Sequence, residues 1–570
     1  MKKRTQKLLS LLLVAVMSAS IIGCGQTDNQ KSTGSQDTTT QSTQVVEESP
    51  INEGFFPIVD EKVTITVGGP DNTTPDWNAT DFVKYVEKEM NVKMACSNTV
   101  GGSWQEKFKL MLAGESLPDL VLSANQQIND INLLAEEGFF LKLDEYLDYA
   151  PNLKAFLEAH PDYKQKCTAS DGHIYGLVQY NMSPLTGMCH TFIRKDWLKA
   201  VGMDVPNTID ELYEVLKAFK EKDPNGNGQA DEIPMIDHNS HTMLQATLMT
   251  AFGMPSNRTN NDLNYGLMIE KDGKLVVSQT TENYKAFLTF MNKLYNEGLY
   301  DKEGFKNPVA SMREKVKGGN VGLFTDWQPS SSTGLPKEDN VNYASINGLS
   351  SEWNPEGYIA GGSQVGNVCH VLANANTEHP EVVVRLIDFL FTEEGALIAA
   401  YGTEKSRIST PIEQDPNTLT YTTIIPEGEE ANYASANDYL NKKARPNAAI
   451  NVLNVAPGEV NYMLSLTSPD QITDQMRIDW NANAYWVERL LTREIKPIIT
   501  NILYTTEELE ERSVIVTDIT NYLVMTRSQF ITGELSVEKD WDTYINTLKQ
   551  MKIDKLLEIE TTAYNRTFGK

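Results

Sequence analysis

Cysteine, histidine and basic residues are all scarce in this chain of 570 residues. Five cysteines occur, none in a Cys-x-x-Cys pair and no two close together, so a zinc ribbon or a dithiol redox motif is excluded. The 50 Lys and Arg residues are outnumbered by 77 Asp and Glu, giving a formal net charge of −27. That balance argues against nucleic acid as a partner, because phosphate binding needs a basic footprint. Catalytic signatures are missing as well. No phosphate loop, zincin helix or Gly-x-Gly-x-x-Gly occurs, and the run Gly361-Gly362-Ser363-Gln364-Val365-Gly366 has the wrong spacing for a nucleophile elbow. His238 and His241 beside Asp237 lack a third metal ligand of clear spacing and read as a polar loop after a strand. Paired glycosidase carboxylates leave no mark in a sequence, since their pairing is spatial. No repeat of 20 to 50 residues is visible, which disfavours a solenoid.

The first informative feature is the N-terminus. Lys2, Lys3, Arg4 and Lys7 precede an apolar run from Leu8 to Ile22 that stops at Gly23-Cys24. The run is shorter than the roughly 20 residues that span a bilayer, and a basic start with a small residue at its end makes a secretory signal. The cysteine at the cut makes it a lipoprotein signal. Residues 1–23 are therefore a signal peptide, Cys24 carries lipid, and loss of four basic residues takes the mature chain to −31. Residues 24–57 are dominated by Ser, Thr, Gln, Asp and Glu and read as a disordered tether. Export permits disulfides, yet Cys96 and Cys369 lie in apolar, strand-like segments where buried free thiols are equally expected; Cys167 and Cys189 are left open.

The second feature is the run Asp223-Pro-Asn-Gly-Asn-Gly-Gln-Ala-Asp-Glu232. Oxygen-bearing side chains alternate at Asp223, Asn225 and Asn227, Gly228 allows the sharp turn at the sixth place, and Gln229 offers a backbone carbonyl at the seventh. That is the first half of a calcium loop. The twelfth place is Pro234, which has no side-chain oxygen, so the remaining donors are Asp231 and Glu232. A fixed structural Ca²⁺ clip is expected, with an amphipathic helix before it (Thr208–Lys220) and a short strand after it (Ile233–Ile236).

About 510 residues then remain for folding, enough for two or three domains. Strand-like runs at Val63–Val67, Val92–Ala95, Leu120–Leu122, Val321–Phe324 and Val368–Leu372 alternate with helical stretches at Ala79–Met90, Trp104–Ala113 and Glu381–Thr392. Alternation of this kind defines an α/β class.

The segment from Phe192 through Arg194-Lys195-Asp196-Trp197 and Asn207-Thr208-Ile209-Asp210 into the Asp223 loop resembles the long extracellular solute-binding lipoproteins of ATP-binding cassette importers, the family 1, sugar-type binding proteins. Matching pieces are Gly114-Glu-Ser-Leu-Pro-Asp-Leu-Val, Ala169-Ser-Asp-Gly-His-Ile-Tyr-Gly-Leu, Lys317-Gly-Gly-Asn-Val-Gly-Leu-Phe-Thr-Asp-Trp and Phe530-Ile-Thr-Gly-Glu-Leu. The likeness covers residues 60–570, and the calcium loop looks like that of alginate-oligosaccharide-binding proteins. It implies a two-lobed periplasmic-binding-protein-like fold (type II) with a ligand cleft between lobes. An N-terminal lobe is expected at 58–186 and 364–410, and a C-terminal lobe at 187–363 and 411–570. It implies a lipid-anchored monomer on the extracellular face of a bacterial membrane, capturing a carbohydrate for an ABC permease without chemistry and without nucleic acid. An exported glycan-degrading enzyme and a surface glycan sensor or adhesin are the alternatives. Sugars stack on aromatic rings and hydrogen-bond short polar groups, so the expected solute-binding residues are Trp77, Asn78, Asn125, Gln126, Trp327, Trp353, Tyr358 and Trp486. Trp197, at helical spacing among Ile193, Leu198 and Val201, is assigned to a core.

Overall fold

The computed structural model describes residues 51–570 apart from 72–75, 136, 183–189, 239–242, 257–265, 271, 305–306, 327, 362–363, 413–414, 448–449, 455–465, 480–481, 500–501 and 570. Two sheets organise it. In chain order their strands are β1 (Val63–Asp71), β2 (Val92–Val100), β3 (Leu120–Gln127), β4 (Gly176–Asn181), β5 (His190–Arg194), β6 (Ile233–Met235), β7 (Val321–Asp326), β8 (Tyr343–Ser345), β9 (Val365–Ala373) and β10 (Leu453–Asn454). The six-stranded sheet runs β10-β4-β9-β3-β1-β2 and the four-stranded sheet runs β8-β5-β7-β6. The helices that bear on the site are α1 (Asp81–Glu89), α2 (Trp104–Ala113), α3 (Ile128–Ala135), α4 (Pro161–Cys167), α5 (Ile209–Glu221), α6 (Thr506–Thr532) and α7 (Ile553–Phe568).

In the N-terminal lobe β1 lies between two parallel neighbours, Val63 opposite Val92 on one side and Val67 opposite Leu120 on the other. Strands covered on both faces need apolar side chains throughout, and Ile65, Val67, Val92, Leu120, Val121 and Leu122 are all buried. Thr80 caps α1 by accepting from the Val83 amide at 3.4 Å, and Phe82, Val83 and Val86 of that helix enter the core. Trp104 fixes α2 to the sheet through Nε1, which donates to the Ala124 carbonyl at 2.6 Å.

The C-terminal lobe repeats this logic. Thr208 caps α5, whose Leu212, Val215, Leu216 and Phe219 are buried against the four-stranded sheet. Trp197 is fully buried and meets Phe219 edge-on at 5.2 Å, over Gly322 of β7. A Cβ at Gly322 would stand 2.5 Å from Phe219 Cδ2, so glycine is what lets the ring pair lie on the strand. Trp197 is thus a core residue, as its spacing implied.

Two boundaries differ from the sequence reading. Residues 51–57 belong to the folded body: Ile51 bridges Val59, and Arg385 donates to the carbonyls of Glu53 and Gly54 at 2.7 Å each. The return to the N-terminal lobe also runs well past residue 410. Tyr439 donates to Asp81, Asn447 to the Pro70 carbonyl, and Ile450, Val452 and Leu453 join the N-terminal core before β10 pairs with β4. Residues 411–454 are polar and carry few strong strand signals, so only their long-range contacts reveal which lobe holds them. Cys96, Cys167 and Cys369 are free thiols; Cys24 and Cys189 lie outside the described residues.

Candidate functional site

The chain passes between the lobes after Asn181, before Val365 and after Asn454. These crossings fix which edges of the two sheets face each other. β4 is parallel in direction to β1, β2 and β3, since β9 is antiparallel to both β3 and β4. Its carboxyl end, Asn181, therefore lies on the same edge as Asp71, Val100 and Gln127. The chain then enters β5 at His190, which sits opposite Asp326, the last residue of β7. β6 is parallel to β7, so Asp237 and His238 follow onto the same edge. The carboxyl edges of both sheets thus flank one inter-lobe space, the position where open α/β sheets bind ligands.

On the C-terminal side this edge is built around buried carboxyls. Asp326, 3% exposed, accepts from Arg313 Nε and Nη2 at 2.9 Å each and from Ser332 Oγ at 2.6 Å. A carboxyl group so held is a fixed bracket. Asp237 is fully buried, and burial pushes its carboxyl up to about 8 although it accepts from the His238 amide at 2.9 Å. It carries a proton at neutral pH. Burial also brings His190 down to about 3, so its imidazole is neutral. Beside it, Thr191 Oγ1 lies 2.9 Å from Thr247 Oγ1, and the Thr191 amide donates to Asn347. The buried groups of this edge are thus neutral or paired within the lobe. Sequence reasoning missed Arg313, Asp326 and His190; the one available signal was that Asp326 immediately precedes Trp327.

The residues expected to touch solute are placed variously. Trp77 does not face the inter-lobe space: its side chain is 0% exposed, and its ring lies over Gly69, where a Cβ would stand 2.3 Å from Cη2 and 2.2 Å from the Leu122 carbonyl. A glycine on the strand beside the sheet's edge strand admits the indole, which a local pattern cannot show. Asn78 is also structural, donating to Asp76 at 3.0 Å and to the Cys96 carbonyl at 3.0 Å while accepting from the Cys96 amide at 2.9 Å. Asn125 is exposed near the end of β3, with φ of 52°, and Gln126 is half-buried with its amide on the Ala124 carbonyl. Trp353 is half-buried against the C-terminal core. Tyr358 is buried with Lys496 Nζ 4.4 Å over its ring. Trp327 and the side chain of Trp486 lie outside the described residues.

The loop from Asp223 to Glu232 closes on itself. Asp223, at φ 46°, accepts from the amides of Asn227 at 3.1 Å and Gly228 at 2.9 Å, and Asn227 Oδ1 accepts from the Gln229 amide at 2.7 Å. Asn225 and Asn227 turn their side-chain amide nitrogens onto Asp231 at 3.1 Å. Gly226 and Gly228 supply the left-handed backbone the turn needs. Asn320, just before β7, pins the loop by donating to the Asp231 carbonyl at 3.2 Å. Glu232 has one oxygen, Oε1, enclosed without a hydrogen-bond partner. Burial, and after it the carboxylates of Asp223 and Asp231, raise its carboxyl. Among the described residues no three His, Cys, Asp or Glu side chains gather closely enough to hold an ion by themselves. The donor set here is mixed, two of its members being Asn. Three carboxyls in one turn, one of them orphaned, nevertheless fit the chemistry of a hard dication.

Two α/β lobes joined by three crossings, with a polar space between their carboxyl edges, define a two-lobed binding protein. The chain belongs to the bacterial extracellular solute-binding protein family, whose model matches residues 71–397. It is similar to the fructooligosaccharide ABC transporter substrate-binding protein FusA of Streptococcus pneumoniae serotype 4, at 27% identity over 538 residues, 90% of this chain and 91% of that protein. Lipoprotein LipO of Bacillus subtilis is 33% identical over 262 residues, 45% of this chain and 47% of LipO. The solved complex of a FusA EF-hand mutant with fructo-nystose shares the fold, with a TM-score of 0.69 and 24% identity, covering 88% of this chain and 99% of that one.

Proposed function

We propose that this protein captures an oligosaccharide between its lobes and delivers it to an ABC-type permease, while anchored by lipid on Cys24 at the extracellular face of the membrane. The observation that carries this reading is the facing of the two carboxyl edges across three crossings. The near full-length similarity to a fructooligosaccharide-binding protein supports the class of solute, and the likeness to a lipoprotein supports the anchor. The protein acts as a monomer, and without chemical change to the sugar: Asp326 is locked by Arg313 and Ser332, and Asp237 is protonated and enclosed. Solute bridging both lobes favours the closed arrangement, and that arrangement is what the permease reads.

Asp223, Asn225, Asn227, Asp231 and Glu232, with the Gln229 carbonyl, hold a structural Ca²⁺ away from the cleft. The comparison with a relative bearing an EF-hand supports this role. When bound, the ion supplies the positive charge that three crowded carboxyls lack. Around the cleft, Asn125, Trp327, Trp353 and Trp486 remain the residues proposed to meet the solute. Titration calorimetry of the chain lacking residues 1–50, against neutral and uronate oligosaccharides, tests the reading. Stoichiometric binding with the sugar recovered intact supports it; cleavage that survives repurification moves the protein to an enzyme class.

A further inference from the structure

One buried charge between the lobes has no answer within the described residues. A cavity of about 630 Å³ opens there, walled by α3, α4 and the start of β9 on the N-terminal side and by α6 on the other. Lys166, in the last turn of α4, lines it while being only 5% exposed. No hydrogen bond or ion pair to Lys166 occurs among the described residues. The remaining charges nearby are accounted for. Arg512 of α6 also lines the cavity, but its Nε donates to Glu560 of α7 at 2.8 Å, and Glu560 is itself fully buried. Asp130 of α3 lines the cavity too; burial raises its carboxyl, and the charges of Arg512 and Lys109 act against that shift. Burial first, and the like charge of Arg512 after it, bring the Lys166 ammonium down to about 8.

An ammonium largely withdrawn from water and left without a counter-ion among the described residues favours a bound anion beside it. Here the ammonium lines a cavity of the volume that holds a small molecule. Gln127, Thr517 and Asn521 supply neutral hydrogen-bonding groups around it from both lobes. We propose that this inter-lobe cavity is a carboxylate-binding site, in which Lys166 takes the ligand's charge and the polar face of α6 in the opposite lobe holds the remainder. The carboxylate belongs to a free small acid or to a uronate unit of a carried oligosaccharide; in the second case the proposal rests on the solute-binding reading above. Because the site draws on both lobes, its occupancy is coupled to their arrangement, and hence to solute affinity.

The test is calorimetry on the full mature chain, with D-galacturonate, trigalacturonate and a panel of neutral oligosaccharides as probes. Galacturonate is expected to bind the wild type, at least tenfold more weakly to Lys166→Met, and severalfold more tightly to Asp130→Asn, which removes the one acidic side chain among the described lining residues. Lys166→Met deletes an unpaired charge and should melt no lower than wild type. If it fails to fold, Asp130→Asn decides alone. Trigalacturonate binding more than tenfold tighter than galacturonate assigns the site to a carried acidic sugar; equal affinities assign it to a free acid. Uronates that leave the wild type untouched, or that bind Lys166→Met and wild type alike, overturn the proposal. Neutral oligosaccharide binding in that event leaves the solute-binding reading standing. Galacturonate bound with every oligosaccharide refused has the reverse meaning.

Discussion

The Asp223–Glu232 loop and the space between the lobes are the two chemical regions of this molecule, and they are assembled differently. Within the loop the side-chain hydrogen bonds join residues two to six positions apart. The inter-lobe space is made from residues scattered between Asp71 and Asn521, brought together by three crossings, two sheets and α6. The first kind of site needs only a turn with the right residues. The second exists only after both lobes have folded, so its side chains answer to core packing before they answer to a ligand.

That difference orders what mutations should do. Trp77→Ala, aimed at a residue that looked like a sugar platform, should cost about 3–5 kcal/mol of stability, the range for emptying an indole-sized space in a core. Denaturant unfolding measures it, and oligosaccharide affinity below the melting range should be unchanged. A variant of normal stability and lost affinity would restore Trp77 to the cleft. Asp223→Ala should abolish the response of the melt to calcium and chelator. With calcium at a hundredfold excess over its dissociation constant the wild type gains about 2.7 kcal/mol, and solute affinity should be the same in both proteins. Arg313→Ala breaks the bracket on Asp326 and should cost about 2 kcal/mol, moderated because Arg313 is half-exposed. Unlike the loop variant it should also weaken oligosaccharide binding.

The last effect is a slope rather than a step. Asp237 has a folded-state carboxyl at about 8, against about 3.9 in an unfolded chain. Its contribution is fully present below about pH 4 and is lost as pH rises through about 8, at no more than about 1.4 kcal/mol per pH unit. Asp237→Asn should level that slope, so that the two proteins melt together near pH 4 and the variant melts higher at pH 8. Parallel melting curves across this range would contradict the protonated, enclosed carboxyl.

Legibility in the sequence followed the same division. The loop, its glycines and its flanking elements could be read from consecutive residues: the helix expected at Thr208–Lys220 is α5 at Ile209–Glu221, and the strand expected at Ile233–Ile236 is β6. Strands of the parallel sheet were visible as apolar runs but came out short. β3 continues from Leu122 to Gln127 through Ser123 and Asn125, polar residues at positive φ that carry no strand signal. Trp77 was misread because its place depends on its approach to Gly69, and Asn78 because its partner Cys96 lies on another strand. The return of residues 411–454 to the first lobe was invisible, since contacts such as Tyr439 with Asp81 span more than 350 positions. The meeting of two like charges, Lys166 and Arg512, on one cavity was hidden for the same reason.

The central claim is that solute is held between two lobes that close upon it. Small-angle X-ray scattering of the chain lacking residues 1–50, titrated with the oligosaccharide that calorimetry finds to bind, tests this directly. The account predicts a fall in radius of gyration that saturates at one sugar per protein, with the sugar unchanged. Saturable binding with no change in radius, or a sugar returned in pieces, would contradict it.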